Sequence, residues 1–264
     1  MATIQITSLV KRFGAVTAVD GLSFTVQPGT VTGFLGANGA GKTTTLRILL
    51  GLIRPDEGTA LIDGVPYRDL PEPSHTVGAV LEATGFHPGR TARAHLGVQA
   101  IAAGVDPSRA EDVLDVVDLT PAAGRRVGGF SLGMKQRLGL ATALLADPDV
   151  LILDEPTNGL DPEGVRWLRD FLRGFAAEGG TVLVSSHLLA EVAQTVDSVV
   201  IVQSGRLVAQ GPVATLTDKG AAGLEDVFFR LTGGFTDRPV TDHPVTEKST
   251  SGNHATDNSK ESAR

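Results

Sequence analysis

The chain has 264 residues, of which 41% are hydrophobic and 20% charged, and this ordinary composition argues against a chain that is disordered throughout. It contains no cysteine, which excludes disulfides, thiolate metal sites and cysteine nucleophiles. The formal net charge of -7 argues against a surface devoted to nucleic acid, because binding phosphates requires clustered lysine and arginine.

The first part of the chain is predicted to be rich in strands. Residues 3–9 and 22–26 alternate polar and apolar side chains, as half-buried strands do. A proline-glycine turn at 27–29 then leads into a third predicted strand at 30–35.

A helix is predicted at 43–52, ended by a proline and a glycine, and a strand follows it at 59–63. No stretch reaches the roughly 18 apolar residues that a membrane-spanning helix needs. The first ten residues alternate like a strand and do not resemble a secretory signal. We therefore expect a cytoplasmic chain that neither crosses a membrane nor is secreted.

The middle of the chain has helical spacing of its apolar residues at 92–103, 110–119 and 132–145, and we expect a helical subdomain at about 83–146. A strand is predicted just before it, at 77–81. Beyond it, the sequence predicts a strand at 150–153, a helix at 163–178 and a strand at 181–185. Strand, helix, strand in this order predicts a parallel sheet that is buried on both faces.

The last predicted elements are a hairpin at 199–208 and a short helix at 224–231. Residues 236–264 have hardly any large apolar side chains and are rich in Thr, Ser, Asp and Asn. We expect this segment to be a disordered polar tail.

The segment from Gly36 to Thr43 fits the Walker A pattern and lies between a predicted strand and a predicted helix, the context that this pattern requires. Backbone N–H groups and the positive end of the helix would bind phosphates, Lys42 would reach the β- and γ-phosphates, and Thr43 would ligate Mg²⁺. The chain has 32 glycines, so a glycine-rich turn that binds nothing is the alternative, and the flanking elements disfavour it. The predicted nucleotide-binding residues here are Gly36, Ala37, Asn38, Gly39, Ala40, Gly41, Lys42, Thr43 and Thr44.

Two carboxylates, Asp154 and Glu155, follow the buried strand at 150–153. Ligands of open α/β sheets bind at the carboxyl ends of the strands, so both side chains are expected at the nucleotide. Asp154 would hold the metal, directly or through water, and Glu155 is the candidate general base for the attacking water. The alternative is a solvated acidic turn before Pro156.

The segment Phe130-Ser131-Leu132-Gly133-Met134-Lys135-Gln136-Arg137 resembles the signature of ATP-binding cassette (ABC) ATPases. Asn158-Gly159-Leu160-Asp161 is similar to the family's D-loop, and Ser186-His187 to its switch histidine. The resemblance covers about residues 2–233. It implies an α/β fold of the P-loop NTPase type, with a β-rich N-terminal part, a RecA-like parallel-sheet core and a helical subdomain, acting as an ATPase with ATP and Mg²⁺.

The resemblance also implies that the signature binds the γ-phosphate held by a second cassette, so that two ATPase subunits share their sites. Ser131, Gly133 and Asp161 then belong to the nucleotide site, although a serine at this position could simply cap a helix. His187 would donate to the γ-phosphate, whereas a lone histidine is more often incidental. Phe13 would stack on adenine, and its alternative is an ordinary core residue.

Two residues depart from the family's pattern. Glu82 stands where a glutamine usually contacts Mg²⁺ and water and senses the membrane subunit. As a carboxylate it could also ligate the metal, at the cost of negative charge beside the triphosphate. Leu132 stands where glycine is usual, and we expect it to resist a positive φ that glycine would allow.

These departures, with the ending at 224–233, resemble the exporter ATPases linked to bacitracin, lantibiotic and drug efflux. That resemblance implies separate integral membrane permease subunits, a location on the inner face of the cell membrane, and a second ATPase subunit, with a homodimer preferred over a heterodimer. Two alternatives are a non-transport cassette protein in translation or DNA maintenance, which usually has two cassettes or a coiled-coil insertion, and a small-molecule kinase. A kinase would leave residues 131–137 and His187 without a role.

Overall fold

A computed structural model of the protein describes residues 2–81, 85–217 and 223–233. The first sheet has three antiparallel strands in the order β2-β1-β4. Its members are β1 (Ile4–Phe13), β2 (Val16–Val26) and β4 (Glu57–Ile62). Alternating burial along β1 turns one face of this sheet towards the core, as the alternation in the sequence predicts.

The second sheet has six strands in the order β5-β6-β7-β3-β8-β9, and only its β8–β9 pair is antiparallel. Every residue of β3, β6 and β7 is buried, which is typical of parallel strands covered on both faces. The members are β3 (Val31–Leu35), β5 (Val77–Val80), β6 (Val150–Asp154), β7 (Thr181–Ser186), β8 (Ser198–Gln203) and β9 (Arg206–Pro212). The predicted parallel-sheet core is therefore confirmed.

Two hydrophobic clusters cover the faces of the six-stranded sheet. On β6, Ile152 belongs to the cluster shared with the three-stranded sheet and α1 (Lys42–Leu49), whereas Leu151 belongs to the helical cluster. That second cluster includes buried residues of α3 (Ala92–Ala102), α4 (Arg109–Val116), α5 (Leu132–Leu144) and α6 (Pro162–Ala177). The shorter helices are α2 (Pro73–Thr76), α7 (Leu189–Ala193), α8 (Val213–Leu216), α9 (Leu224–Thr232) and three 3-10 turns, Tyr67–Asp69, Thr120–Ala122 and Val127–Gly129.

Element types agree with the sequence predictions, and the differences lie at the ends. The helix predicted to reach residue 52 ends at Leu49, because Gly51 takes a φ of 69°. The helix predicted at 110–119 ends at Val116, before Asp118 with its φ of 55°. The predicted tail at 236–264 lies outside the described residues. Within the described part, no helix is long and apolar enough to cross a membrane.

Parallel register places the functional loops at one edge of the sheet. Leu35, the last residue of β3, pairs with Ser186 of β7, and Asp154 of β6 pairs with Ser185. Because all three strands end at the same level, the segments that follow them converge there.

Candidate nucleotide site

The loop between β3 and α1 depends on its glycines. A Cβ atom on Gly36 would lie 2.9 Å from the Cβ atom of Ala40, and one on Gly41 would overlap the carbonyl oxygen of Ala18. Gly41 also has a φ of 101°, which strains any other residue, and it immediately precedes α1. The absence of side chains at Gly36 and Gly41 lets the loop pack closely against the start of α1. Backbone N–H groups at the start of a helix can bind an anion.

Lys42, the first residue of α1, has only 6% of its surface exposed. Its Nζ atom donates to the carbonyl oxygens of Gly36, at 2.7 Å, and Ala37, at 3.3 Å. The same atom lies 3.4 Å from Oε1 of Glu155. The ammonium group is therefore fixed between the glycine-rich loop and the carboxylate that follows β6.

Asp154 is held by two hydroxyl groups. Thr43 Oγ1 donates to its Oδ2 atom at 2.7 Å, and Ser185 Oγ donates to its Oδ1 atom. Ser185 also accepts a hydrogen bond of 3.0 Å from the backbone N–H of Glu155. Ser185 was not predicted as a site residue, although a serine that interrupts an apolar strand two residues before His187 is a recognisable signal.

Glu155 is bound on both of its oxygens. His187 Nδ1 lies 2.8 Å from Oε2, while Lys42 lies on the Oε1 side. The backbone of Glu155 has a φ of 50°, a conformation that is uncommon outside glycine and concentrated at functional sites. Towards an ionised carboxylate, which only accepts hydrogen bonds, Nδ1 of His187 would be the donor of this pair.

The donor set fits Mg²⁺ bound together with a nucleotide. Magnesium prefers oxygen ligands, and it is usually held by one or two carboxylates, substrate phosphates and water. Thr43 and Asp154 offer such oxygens 2.7 Å apart. Over the described residues, no group of three or more His, Cys, Asp or Glu side chains is arranged to hold a metal by itself. Glu82, the third predicted metal ligand, lies outside the described residues.

Ser131 and Asp161 both cap helices. Ser131 Oγ accepts from the backbone N–H of Met134 at 3.2 Å at the start of α5, and Asp161 Oδ1 accepts from that of Gly164 at 2.8 Å at the start of α6. The exposed backbone around the start of α5 is compatible with phosphate binding. For Ser131 a cap and a phosphate ligand are not exclusive roles, because its oxygen accepts from Met134 while its O–H can still donate to a phosphate.

Gly133 packs against the loop that precedes α6. A Cβ atom on it would lie 3.0 Å from the carbonyl oxygen of Gly159. Leu132 is the first residue of α5, and it is not among the described residues with a positive φ. Leu132 therefore enters the helix without the positive φ that leucine would resist, and α5 begins directly after Ser131.

Phe13 ends β1 and is 49% exposed, so it is not the core residue of the alternative interpretation. Lys11 Nζ lies 5.4 Å from the centre of its ring. Asp56 fixes this strand end by accepting from the backbone N–H of Arg12 at 2.6 Å and from Lys11 at 3.0 Å. These hydrogen bonds, the backbone one foremost, lower the pKa of Asp56. The exposed ring is thus held in place at the surface.

Comparison with known proteins agrees with this geometry. A family described as "ABC transporter" matches residues 19–158. The bacitracin transport ATP-binding protein BcrA of Bacillus licheniformis is 44% identical over 225 residues, covering 84% of this chain and 74% of the relative. The Nod factor export ATP-binding protein I of Burkholderia lata is 41% identical over 216 residues, covering 80% and 71%.

Solved structures are similar as well. One described as an ATP-binding subunit of an ABC transporter has a TM-score of 0.78 and 29% identity, covering 87% of this chain and 99% of the other. The dimeric cassette MJ0796, in a post-hydrolysis state with ADP and Pi, has a TM-score of 0.72 and 23% identity, covering 80% and 98%. At that identity, the second likeness supports the fold alone.

Proposed function

This chain belongs to the ABC transporter ATP-binding family and is an ATPase subunit, and on that premise we propose that it powers the export of an antibiotic, peptide or drug-type molecule through separate membrane subunits. The observation that carries the ATPase assignment is the convergence of Lys42, Asp154 and Glu155 at one edge of the parallel sheet. The relatives named for bacitracin transport and Nod factor export support export as the direction of transport.

Residues 36–44 bind the triphosphate of ATP in this proposal. Lys42 is fixed where it can reach the terminal phosphates, and backbone N–H groups at the start of α1 face the same place. Thr43 and Asp154 would hold Mg²⁺, and the ion would neutralise charge on the phosphates. Phe13 supplies an exposed ring on which adenine can stack.

Glu155 acts as general base. It takes a proton from the attacking water, whose oxygen forms a bond to the γ-phosphorus as the bond to the β–γ bridging oxygen breaks, leaving ADP and phosphate. His187 contacts Oε2 of the carboxylate through Nδ1, and a ring that carries a hydrogen on both nitrogens would also donate to the γ-phosphate through Nε2. The ammonium of Lys42 lies on the other side of the carboxylate, 3.4 Å from Oε1.

A second ATPase subunit completes the site, with a homodimer preferred. Ser131 and Gly133 contact their own helix and the loop before α6, and the start of α5 presents an exposed serine. The start of α5 from the second copy would bind the γ-phosphate held by this chain's residues 36–44. Each dimer then contains two shared sites.

The membrane partner is proposed to dock beside β5. A groove of about 300 Å³ there is lined by Tyr67, Val77, Gln99 and Thr142, among others. Next to it, α3 exposes Val98 and Ile101, the latter with 68% of its surface accessible. In the sequence, β5 is followed shortly by Glu82, the residue that the family resemblance implicates in sensing the membrane subunit. An apolar patch of this kind marks an interaction surface.

Steady-state ATPase activity of the purified chain, with and without its co-purified membrane subunit, tests the proposal. Glu155→Gln removes the base and keeps the side-chain volume, so turnover should fall by about 10²- to 10⁴-fold while ATP binding persists. Glu178→Gln, at the exposed end of α6, is the matched control and should leave turnover unchanged. Unchanged turnover in Glu155→Gln would remove Glu155 as the base. Co-purification with ribosomes in place of a membrane protein would overturn the transport role.

A further inference from the structure

Leu132 makes a contact that glycine at its position could not make. Gly159, with a φ of 78°, lies directly against it: a Cβ atom on Gly159 would overlap Cγ and Cδ2 of Leu132 and lie 2.9 Å from its Cβ atom. Leu132 is otherwise half-exposed, with 49% of its surface accessible. The Leu132–Gly159 contact is therefore a specific fit between a large side chain and a residue that has none.

Two neighbouring contacts join the same helix to the same loop. Gln136 Nε2 donates to the carbonyl oxygen of Asn158 at 3.3 Å, and Gly133 closely approaches the carbonyl oxygen of Gly159. Leu132, Gly133 and Gln136 occupy the first turn and a half of α5, immediately after Ser131. The loop at 158–160 is thus attached to the phosphate-facing end of this helix at three points.

The other end of that loop is attached to the general base. The backbone N–H of Asn158 donates to the carbonyl oxygen of Glu155 at 3.2 Å, and Glu155 already has the uncommon φ of 50°. Asp161 fixes the far side of the loop by capping α6. Because these contacts are close-packed, a shift of the start of α5 displaces the loop at 158–160. The displaced loop in turn moves the turn that orients Glu155.

We propose that Leu132 is a positioning residue and that its packing against Gly159 couples the two shared nucleotide sites. The inference rests on the proposed function, since it requires that Ser131 binds the nucleotide held by a second copy. Glu155 of the same chain serves the nucleotide held by its own residues 36–44. When Ser131 contacts the phosphate held by the second copy, Leu132 passes the resulting shift of α5 to Gly159. Glu155, the base at this chain's own nucleotide, is then oriented by the same loop.

Two variants of Leu132 and one control variant separate positioning from folding. Leu132→Ala removes the contact and retains a good helix former, so the Hill coefficient for ATP hydrolysis should fall towards 1. Its kcat should fall by about 2- to 30-fold, the range that coupling residues produce, with little change in KM. Leu132→Met, which restores most of the volume, should recover both values. Leu231→Ala, an equally exposed leucine on α9, should change neither.

A double-mutant cycle tests the contact itself. Gly159→Ala introduces the overlapping Cβ atom and should lower kcat. Its effect should not add to that of Leu132→Ala, because both variants disturb the same contact. The proposal is overturned by a parent Hill coefficient of 1, by an unchanged Leu132→Ala enzyme, by failure of Leu132→Met to recover activity, or by additive losses. ATP-dependent dimerisation of Glu155→Gln is measured in parallel, and its failure would instead overturn the shared site on which the inference rests.

Discussion

Nδ1 of His187 lies 2.8 Å from Oε2 of Glu155, joining the end of β7 to the end of β6 across the edge of the sheet. The other oxygen of Glu155 faces Lys42 at 3.4 Å. The candidate base is therefore oriented from two sides by groups that lie 32 and 113 positions away in the chain.

Replacing His187 should impair chemistry more than binding. His187→Ala leaves Oε2 of Glu155 without this partner and removes Nε2 from the γ-phosphate, so we expect kcat to fall by about 10²-fold or more. Steady-state kinetics with an independent measurement of ATP affinity separates the two effects. His75→Ala, on an exposed helix, is the control. A parallel loss of affinity and no change in kcat would contradict the assigned role.

Replacing Thr43 should change the magnesium requirement. Thr43→Ala removes one metal oxygen and the hydroxyl that donates to Asp154 at 2.7 Å. The Mg²⁺ concentration for half-maximal activity should rise by about 10-fold or more. Titration of ATPase activity with Mg²⁺ at saturating ATP measures this, and Thr76→Ala, outside the site, should behave like the parent. An unchanged titration would mean that Thr43 is not a ligand.

Charge on the exposed face of α3 should uncouple the subunit from the membrane. Ile101→Glu places a carboxylate beside the proposed docking groove, where apolar surface is expected to be buried by the permease. Membrane association, measured by co-purification with the permease, should be lost, while the ATPase activity of the isolated chain is retained. Leu52→Glu alters a similarly exposed residue, 66% accessible, and should still associate. Equal association of both variants would exclude this surface.

His95 should make the helical region sensitive to acid. Its side chain is 4% exposed between α3 and α5, with Nε2 lying 3.3 Å from Thr142 Oγ1 and, among the described residues, no hydrogen-bond partner for Nδ1. Burial, assisted by the charge of Arg90, lowers the pKa of His95 below its usual 6.5. Below pH 6.5 the unfolded chain therefore binds a proton that the folded chain resists, and the free energy of unfolding decreases as the pH falls towards the folded-state pKa.

Denaturant unfolding at pH 7.5 and 5.5 measures this effect. The free energy of unfolding of the parent should be lower at pH 5.5 than at pH 7.5. Below the pKa of His95 in the unfolded chain, this residue contributes at most about 1.4 kcal/mol per pH unit to that loss. His95→Gln should show a smaller pH dependence, because glutamine does not titrate, and His75→Gln should retain that of the parent. Identical pH dependence in all three would contradict the prediction.

Much of the site could be predicted because its signals are local. Residues 36–43 and the pair Asp154-Glu155 each lie between recognisable elements, and the end of a parallel strand fixes where they meet. Ser185 was missed because its role depends on the register of β6 against β7. The fit of Leu132 against Gly159 could not be predicted, because it depends on packing between α5 and the loop before α6.

The molecular mass of the Glu155→Gln chain, measured by light scattering after gel filtration with Mg²⁺ and either ATP or ADP, tests most directly whether the nucleotide site is shared between two copies. We predict twice the monomer mass with ATP and the monomer mass with ADP. Adding Ser131→Arg to the same chain should prevent the ATP-dependent dimer while ATP still binds, because the start of α5 can no longer approach the γ-phosphate. A chain that binds ATP and stays monomeric, or that dimerises equally well with Ser131→Arg, would contradict the shared site.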